Sequence, residues 1–143
     1  MRANTILVPV DFSEHSRRAL AEADTIAANL GTNLVLLHVY PVTQAAVLDF
    51  TYVEPPESIA RATAKAQEHL ETWTKGLKSP RHRITLEVMT GNPVSAINER
   101  AKTVDLVVIA THGRTGLEHF LMGSVAERVV QGSAANVLVV KKG

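Results

Sequence analysis

Four short, nearly uninterrupted apolar runs constrain this chain most: residues 6–8, 34–39, 106–109 and 137–140. A strand covered on both faces loses the polar/apolar alternation of a half-exposed strand and becomes continuously apolar, the pattern of a parallel sheet with helices on each side. Between the first two runs, Ala19, Leu20, Ala23, Ile26, Ala27 and Leu30 repeat at a helical period, and Gly31 follows as a C-terminal cap. A period that switches between strand and helix along one chain limits the fold class to α/β.

The remaining elements follow the same rhythm. Residues 41–57 hold Pro41, Pro55 and Pro56 with little periodicity and read as a long, mobile loop. A second helix is expected over residues 57–75, with Ile59, Ala62, Ala66, Leu70 and Trp73 inward and Gly76 just beyond. Ile84, Leu86 and Val88 alternate with Thr85 and Glu87, which predicts an edge strand. Asn92 and Pro93 form a cap followed by a first-turn proline, and Val94, Ile97 and Ala101 give that helix an inner face. A short helix is expected over residues 124–132 and a last strand over 137–140. The last strand would most simply lie at the other edge, where an apolar strand invites pairing. A homodimer through residues 137–141 (Val137, Leu138, Val139, Val140 and Lys141) is therefore expected.

With 143 residues the chain reads as one domain over residues 1–143, without internal repeats or low-complexity tracts. Fifteen basic against fourteen acidic residues argue against a broad nucleic-acid surface or a polybasic membrane patch. Cysteine is absent, which removes disulfides and thiolate chemistry. The apolar run near the N-terminus is too short for a signal-peptide core, and no run reaches the ~18 residues of a spanning helix. A cytoplasmic protein is expected.

In an open parallel sheet, ligands bind beyond the carboxyl ends of the strands, where strand order reverses. Three loops meet that description: Pro9-Val10-Asp11, Val39-Tyr40 and residues 110–124. The last lies in the stretch Asp105-Leu-Val-Val-Ile-Ala-Thr-His-Gly-Arg-Thr-Gly116, where a strand runs into a glycine-containing loop, and closes on Met122-Gly-Ser124. Backbone N–H groups of Gly113, Gly123 and Ser124 at a helix start favour a phosphate. Asp11 suits a ribose diol or a divalent cation carrying phosphates. Each assignment has a structural counterpart. Asp11 or Ser124 would serve as helix caps, Gly113 and Gly116 as turn formers, and Arg114 as a solvated side chain. His112 reads as packing rather than as a base, because no Gly-x-Ser-x-Gly elbow accompanies it. His15, His38, His69, His82 and His119 lack metal-ligand spacing and read as structural or solvated. Met122 and Trp73 read as packing residues, Met122 against the ligand.

Taken together, Ile6-Leu-Val-Pro-Val-Asp-Phe-Ser13, Leu36-Leu-His-Val39, Val107-Val-Ile-Ala-Thr-His-Gly113, Gly123-Ser-Val-Ala126 and Val137-Leu-Val-Val140 resemble the universal stress protein family over essentially the full length. The ATP-binding branch of that family carries Gly, two residues, Gly, nine residues, then Gly and Ser or Thr. Gly113, Gly123 and Ser124 match, and the first glycine of the pattern falls on Ala110. The resemblance implies five parallel strands in the order 3-2-1-4-5 with helices on both faces. It also implies adenine contacts at Val39, ribose contact at Asp11, and dimerisation through the last strand. The expected nucleotide site comprises Pro9, Val10, Asp11, Val39, Ala110, His112, Gly113, Arg114, Met122, Gly123, Ser124 and Val125. ATP or another adenine nucleotide would bind there with Mg2+ or Mn2+ held through the phosphates, Asp11 being the one protein group in question.

The leading reading is a nucleotide-binding regulatory module with a role in stress inferred from the likeness alone. A slow ATPase or adenylyl-transfer enzyme is the alternative. The chain lacks the Walker Gly-x4-Gly-Lys-Ser/Thr sequence, and no clear activating base is visible. A dimeric interaction protein without nucleotide, favoured by Ala110, is the third reading.

Overall fold

The computed structural model describes residues 4–42, 44–47, 50–112 and 122–141. In chain order the main elements are β1 (Thr5–Pro9), α1 (Glu14–Leu30), β2 (Asn33–Tyr40), β3 (Gln44–Val47), β4 (Phe50–Val53), α2 (Pro56–Trp73), β5 (Ile84–Thr90), α3 (Pro93–Ala101), β6 (Leu106–Ala110), α4 (Ser124–Gly132) and β7 (Asn136–Val140). Five strands form one sheet in the order β5-β2-β1-β6-β7, and every pairing within it is parallel. Counted within this sheet, that is the expected order 3-2-1-4-5.

The strand side chains divide cleanly by parity. Ile6, Val8, Leu34, Leu36 and Val108 pack with Ala19, Leu20, Ala23 and Ala27 of α1 and with Leu70 and Trp73 of α2. Leu7, Val35, Leu37, Val107 and Ile109 pack on the other face with Ala96, Ile97 and Ala101 of α3 and Ala126 and Val129 of α4. The sheet is therefore a layer between two helical layers, which is why its central strands are apolar throughout. The two edges are β5, with its partly exposed residues, and β7, whose Leu138 is exposed.

Two expectations need correction. Residues 41–57 are not one loop: β3 and β4 pair antiparallel, with Ala45 opposite Tyr52 and Gln44 opposite Val53. The prolines lie outside this hairpin: Pro41 follows β2, Pro55 is the N-cap of α2 and Pro56 its first residue, so none removes a ladder hydrogen bond. Leu30 also lies outside the core, 60% exposed. It occupies the last position of α1, beyond the final turn that touches the sheet, and Gly31 closes the helix with φ +66 and an N–H donated to the Ala27 carbonyl. Among the described residues no helix is long and apolar enough to cross a membrane.

Candidate nucleotide site

The strand order reverses between β2 and β6, on either side of β1, and the crevice lies at the carboxyl ends of these three strands. A cavity of about 430 Å3 occupies it, within the range of about 300–1,000 Å3 usual for small-molecule sites. Its lining includes Pro9, Val10 and Asp11 after β1, Val39 and Tyr40 at the end of β2, Ala110, Thr111 and His112 after β6, and Gly123, Ser124 and Val125 at the start of α4. Nine of the twelve expected site residues thus come together around one hollow. Met122 instead packs against the α3–α4 face of the sheet, and Gly113 and Arg114, like Gly116 and His119, lie outside the described residues.

Each wall has its own local cause. The Val10 amide extends the β1 ladder by donating to the Leu37 carbonyl at 2.8 Å. The Val10 carbonyl accepts from His38 Nδ1 at 2.7 Å. A carbonyl has no proton to give, so Nδ1 carries the hydrogen. Asp11 Oδ1 accepts from the Ser13 amide at 3.0 Å and from the Ser13 hydroxyl. Ser13, rather than Asp11, is the N-cap of α1, its Oγ accepting from the Ser16 amide at 3.2 Å. The carboxylate is thereby fixed to the helix start without being consumed as its cap.

The opposite wall is set by glycine at close quarters. Gly123 has an ordinary φ of −70°, so its value lies in size. Its amide donates to the Thr111 carbonyl at 2.6 Å, and a Cβ there would sit 3.0 Å from that oxygen. Thr111 is itself held by β7, its amide and Oγ1 both donating to the Val140 carbonyl. The N-cap of α4 is Gly123, so Ser124 is the first helical residue and not the cap. Glycine has no side chain to cap the helix. The first-turn N–H groups, which have no partner within a helix, belong to Ser124, Val125 and Ala126, all lining the cavity. Partial positive charge of that kind attracts an anion. Ala110, where the family pattern has glycine, lies in β6 and packs into the core. Among the described non-glycine residues only Phe12 has positive φ, so the alanine adds no backbone strain at this position.

Phe12 is the surprise. Its φ of +65° is a costly conformation for a bulky residue, on the order of 1–3 kcal/mol. Its ring stacks on His69 at 3.9 Å with an 8° interplanar angle, faces His38 at 4.7 Å and meets Trp73 edge-on at 5.4 Å. Arg17 covers Trp73 at 4.2 Å. His38 and His69, expected as structural or solvated, both contact the Phe12 ring beside the turn that carries Asp11, His38 half-buried and His69 exposed. His15 and His112 approach within 5.8 Å at the other side of the site.

Sequence reasoning put Tyr40 in a ligand-side loop but left it out of the site, and it missed Pro93 and Ile97 in the lining, for which a signal existed. A helix beginning at Asn92-Pro93 straight after a parallel strand must start on the ligand side of the sheet, and α3 sits on the face that Val39 shares. Tyr40 donates to Glu54 Oε2 at 2.7 Å, as Ser58 does at 2.9 Å. This bond joins the end of β2 to the segment after the hairpin. It holds the Tyr40 phenol above its ordinary pKa, chiefly because the hydroxyl donates to a carboxylate, with burial and the Glu54 and Tyr52 charges adding to it. Among the described residues no three His, Asp or Glu side chains are grouped to hold a metal ion.

Fold and crevice together define an α/β protein of the doubly wound class with a cavity at its switch point. The chain matches the universal stress protein family over residues 3–141 and belongs to that family. Universal stress protein MJ0531 of Methanocaldococcus jannaschii is 34% identical over 145 residues, covering 96% of this chain and 81% of that protein. The structure of universal stress protein UspA from Lactobacillus plantarum aligns with a TM-score of 0.76 at 26% identity, over 98% of this chain and 99% of that one. A universal stress protein solved in complex with cAMP aligns with a TM-score of 0.69 at 26% identity, over 97% of each chain.

Proposed function

We propose that this chain is a regulatory module that binds an adenine nucleotide, ATP in the first place, in the crevice beyond β1 and β6. The observation that carries this reading is one cavity bordered by a helix-anchored carboxylate, Asp11, and by the uncapped first turn of α4 at Gly123 and Ser124. A nucleotide needs those two chemistries a few ångströms apart: an acceptor for the ribose hydroxyls and N–H donors for phosphate. The apolar wall at Val39, Pro93 and Ile97 suits a flat base. The likeness to a protein solved with cAMP supports the adenine class.

In this reading Gly113 and Arg114 add phosphate contacts. Mg2+ or Mn2+ would travel with the phosphates, Asp11 being the carboxylate at hand. The protein works in the cytoplasm as a homodimer through β7, acts as a single unit over residues 1–143, and serves the stress response by binding rather than by turnover. Calorimetric titration with ATP, ADP, AMP and cAMP, with and without Mg2+, tests it. Saturable binding of at least one adenine nucleotide at one site per chain is expected. Absence of binding by all four would overturn the proposal.

A further inference from the structure

The turn that carries Asp11 is held from both sides by the same imidazole. His38 donates to the Val10 carbonyl and packs its ring on Phe12, and Asp11 is the residue between them. Phe12 keeps a left-handed backbone that glycine would adopt freely and a large side chain resists. Such conformations persist where the surroundings over-determine them, and here the surroundings are three rings. His69 is the outermost: it stands exposed on α2 and lies flat on Phe12. Trp73, one helical turn further on, is buried beneath the same ring. Stacked and edge-on aromatic contacts of this kind are directional, so they hold an angle as well as a position.

We propose that Phe12 is a positioning residue for nucleotide recognition: the clamp of His38, His69 and Trp73 on its ring sets the turn that presents the Asp11 carboxylate to the cavity. This rests on the nucleotide reading given above. Phe12 touches no ligand in this scheme; it acts through Asp11. Ring loss therefore lets the turn relax into other φ/ψ wells, and the carboxylate leaves its place while the β-sheet core stays intact. The exposed jaw at His69 makes the clamp adjustable from α2, so changes on that helix alter nucleotide affinity from outside the cavity.

The test is a set of ATP affinities measured by calorimetry, with circular dichroism melts recorded on every variant. Phe12→Gly removes the ring yet suits the left-handed backbone, so it adds no strain at the turn, and the melts show that its core is intact. It should weaken ATP binding about tenfold. Phe12→Tyr, which keeps the stack, should stay within about twofold of the parent, and His69→Ala, away from the turn backbone, should lose about threefold. The decisive comparison is Phe12→Gly in an Asp11→Ala background, where the tenfold effect should vanish because Phe12 acts through that carboxylate. An equal loss with and without Asp11, or a lowered melting temperature with unchanged affinity, would overturn the proposal and leave the ring a folding role. A parent protein that binds no ATP would overturn this inference and the nucleotide reading together, whereas tight parent binding with an indifferent Phe12→Gly would overturn this inference alone.

Discussion

The Gly123 amide donates to the Thr111 carbonyl at 2.6 Å, the contact that brings the start of α4 against the end of β6. A methyl group at residue 123 would press on that carbonyl oxygen at 3.0 Å, and Thr111 is restrained in turn by Val140. Gly123→Ala should therefore cost about 1–3 kcal/mol of stability, as overpacking does, measured by denaturant unfolding. It should weaken nucleotide binding as well, by displacing the first turn of α4. Unchanged stability would mean that the loop yields without cost.

In the proposed reading Asp11 has two duties that substitution separates, the Ser13 contacts and the contact to nucleotide. Asp11→Asn keeps an oxygen for the Ser13 amide and hydroxyl but removes the charge, whereas Asp11→Ala removes both. Loss of a charged or ribose hydrogen bond costs about 1.5–3 kcal/mol, roughly tenfold or more in affinity. The alanine variant should fall by at least that factor in calorimetry and melt lower than the asparagine variant. Equal melting temperatures would show that the Ser13 contacts contribute nothing to the fold.

The outer edge of β7 carries the dimer proposal. Leu138 is 39% exposed on a strand bordered by β6 on one side only. A lysine on an edge strand is a common block to pairing. Leu138→Lys should shift the sedimentation of the protein from dimer to monomer; a dimer that survives it would move the interface elsewhere.

Tyr40 gives a pH dependence with a definite sign. Its folded-state pKa is raised, mainly by the hydrogen bond to Glu54. The neutral phenol is thus favoured by folding, so its contribution is complete below the unfolded-state pKa and is lost as pH rises through the higher folded-state value. The stability difference between the parent and Tyr40→Phe, measured by urea unfolding, should be constant at neutral pH and shrink in the alkaline range. A difference that grows with pH would contradict the assignment.

The sheet was legible because residues 6–8, 34–39 and 106–109 lie between two helical layers, which leaves little room for polar alternation; its full order came only from the family resemblance, the patterns alone placing the two edges. Asp11, Ala110 and Gly123 were legible because strand ends and helix starts are written in local residue types. The β3–β4 hairpin was hidden by the prolines around it, which look like loop formers until their positions outside the strands are seen. Phe12 was hidden for a different reason. Its role depends on His38, His69 and Trp73, brought beside it only by packing of α2 on the sheet, and no local pattern announces positive φ at a phenylalanine. The cap role open to Ser124 falls one position earlier, since the backbone geometry at Gly123 makes that residue the cap.

Backbone amide shifts recorded by NMR as ATP is added test the placement of the nucleotide most directly. The largest changes are expected at Asp11, Val39, Thr111, Gly123 and Ser124, at the carboxyl ends of β1, β2 and β6. Changes concentrated at the opposite end of the sheet, around Asp105 and Asn33, or no changes at saturating ATP, would contradict it.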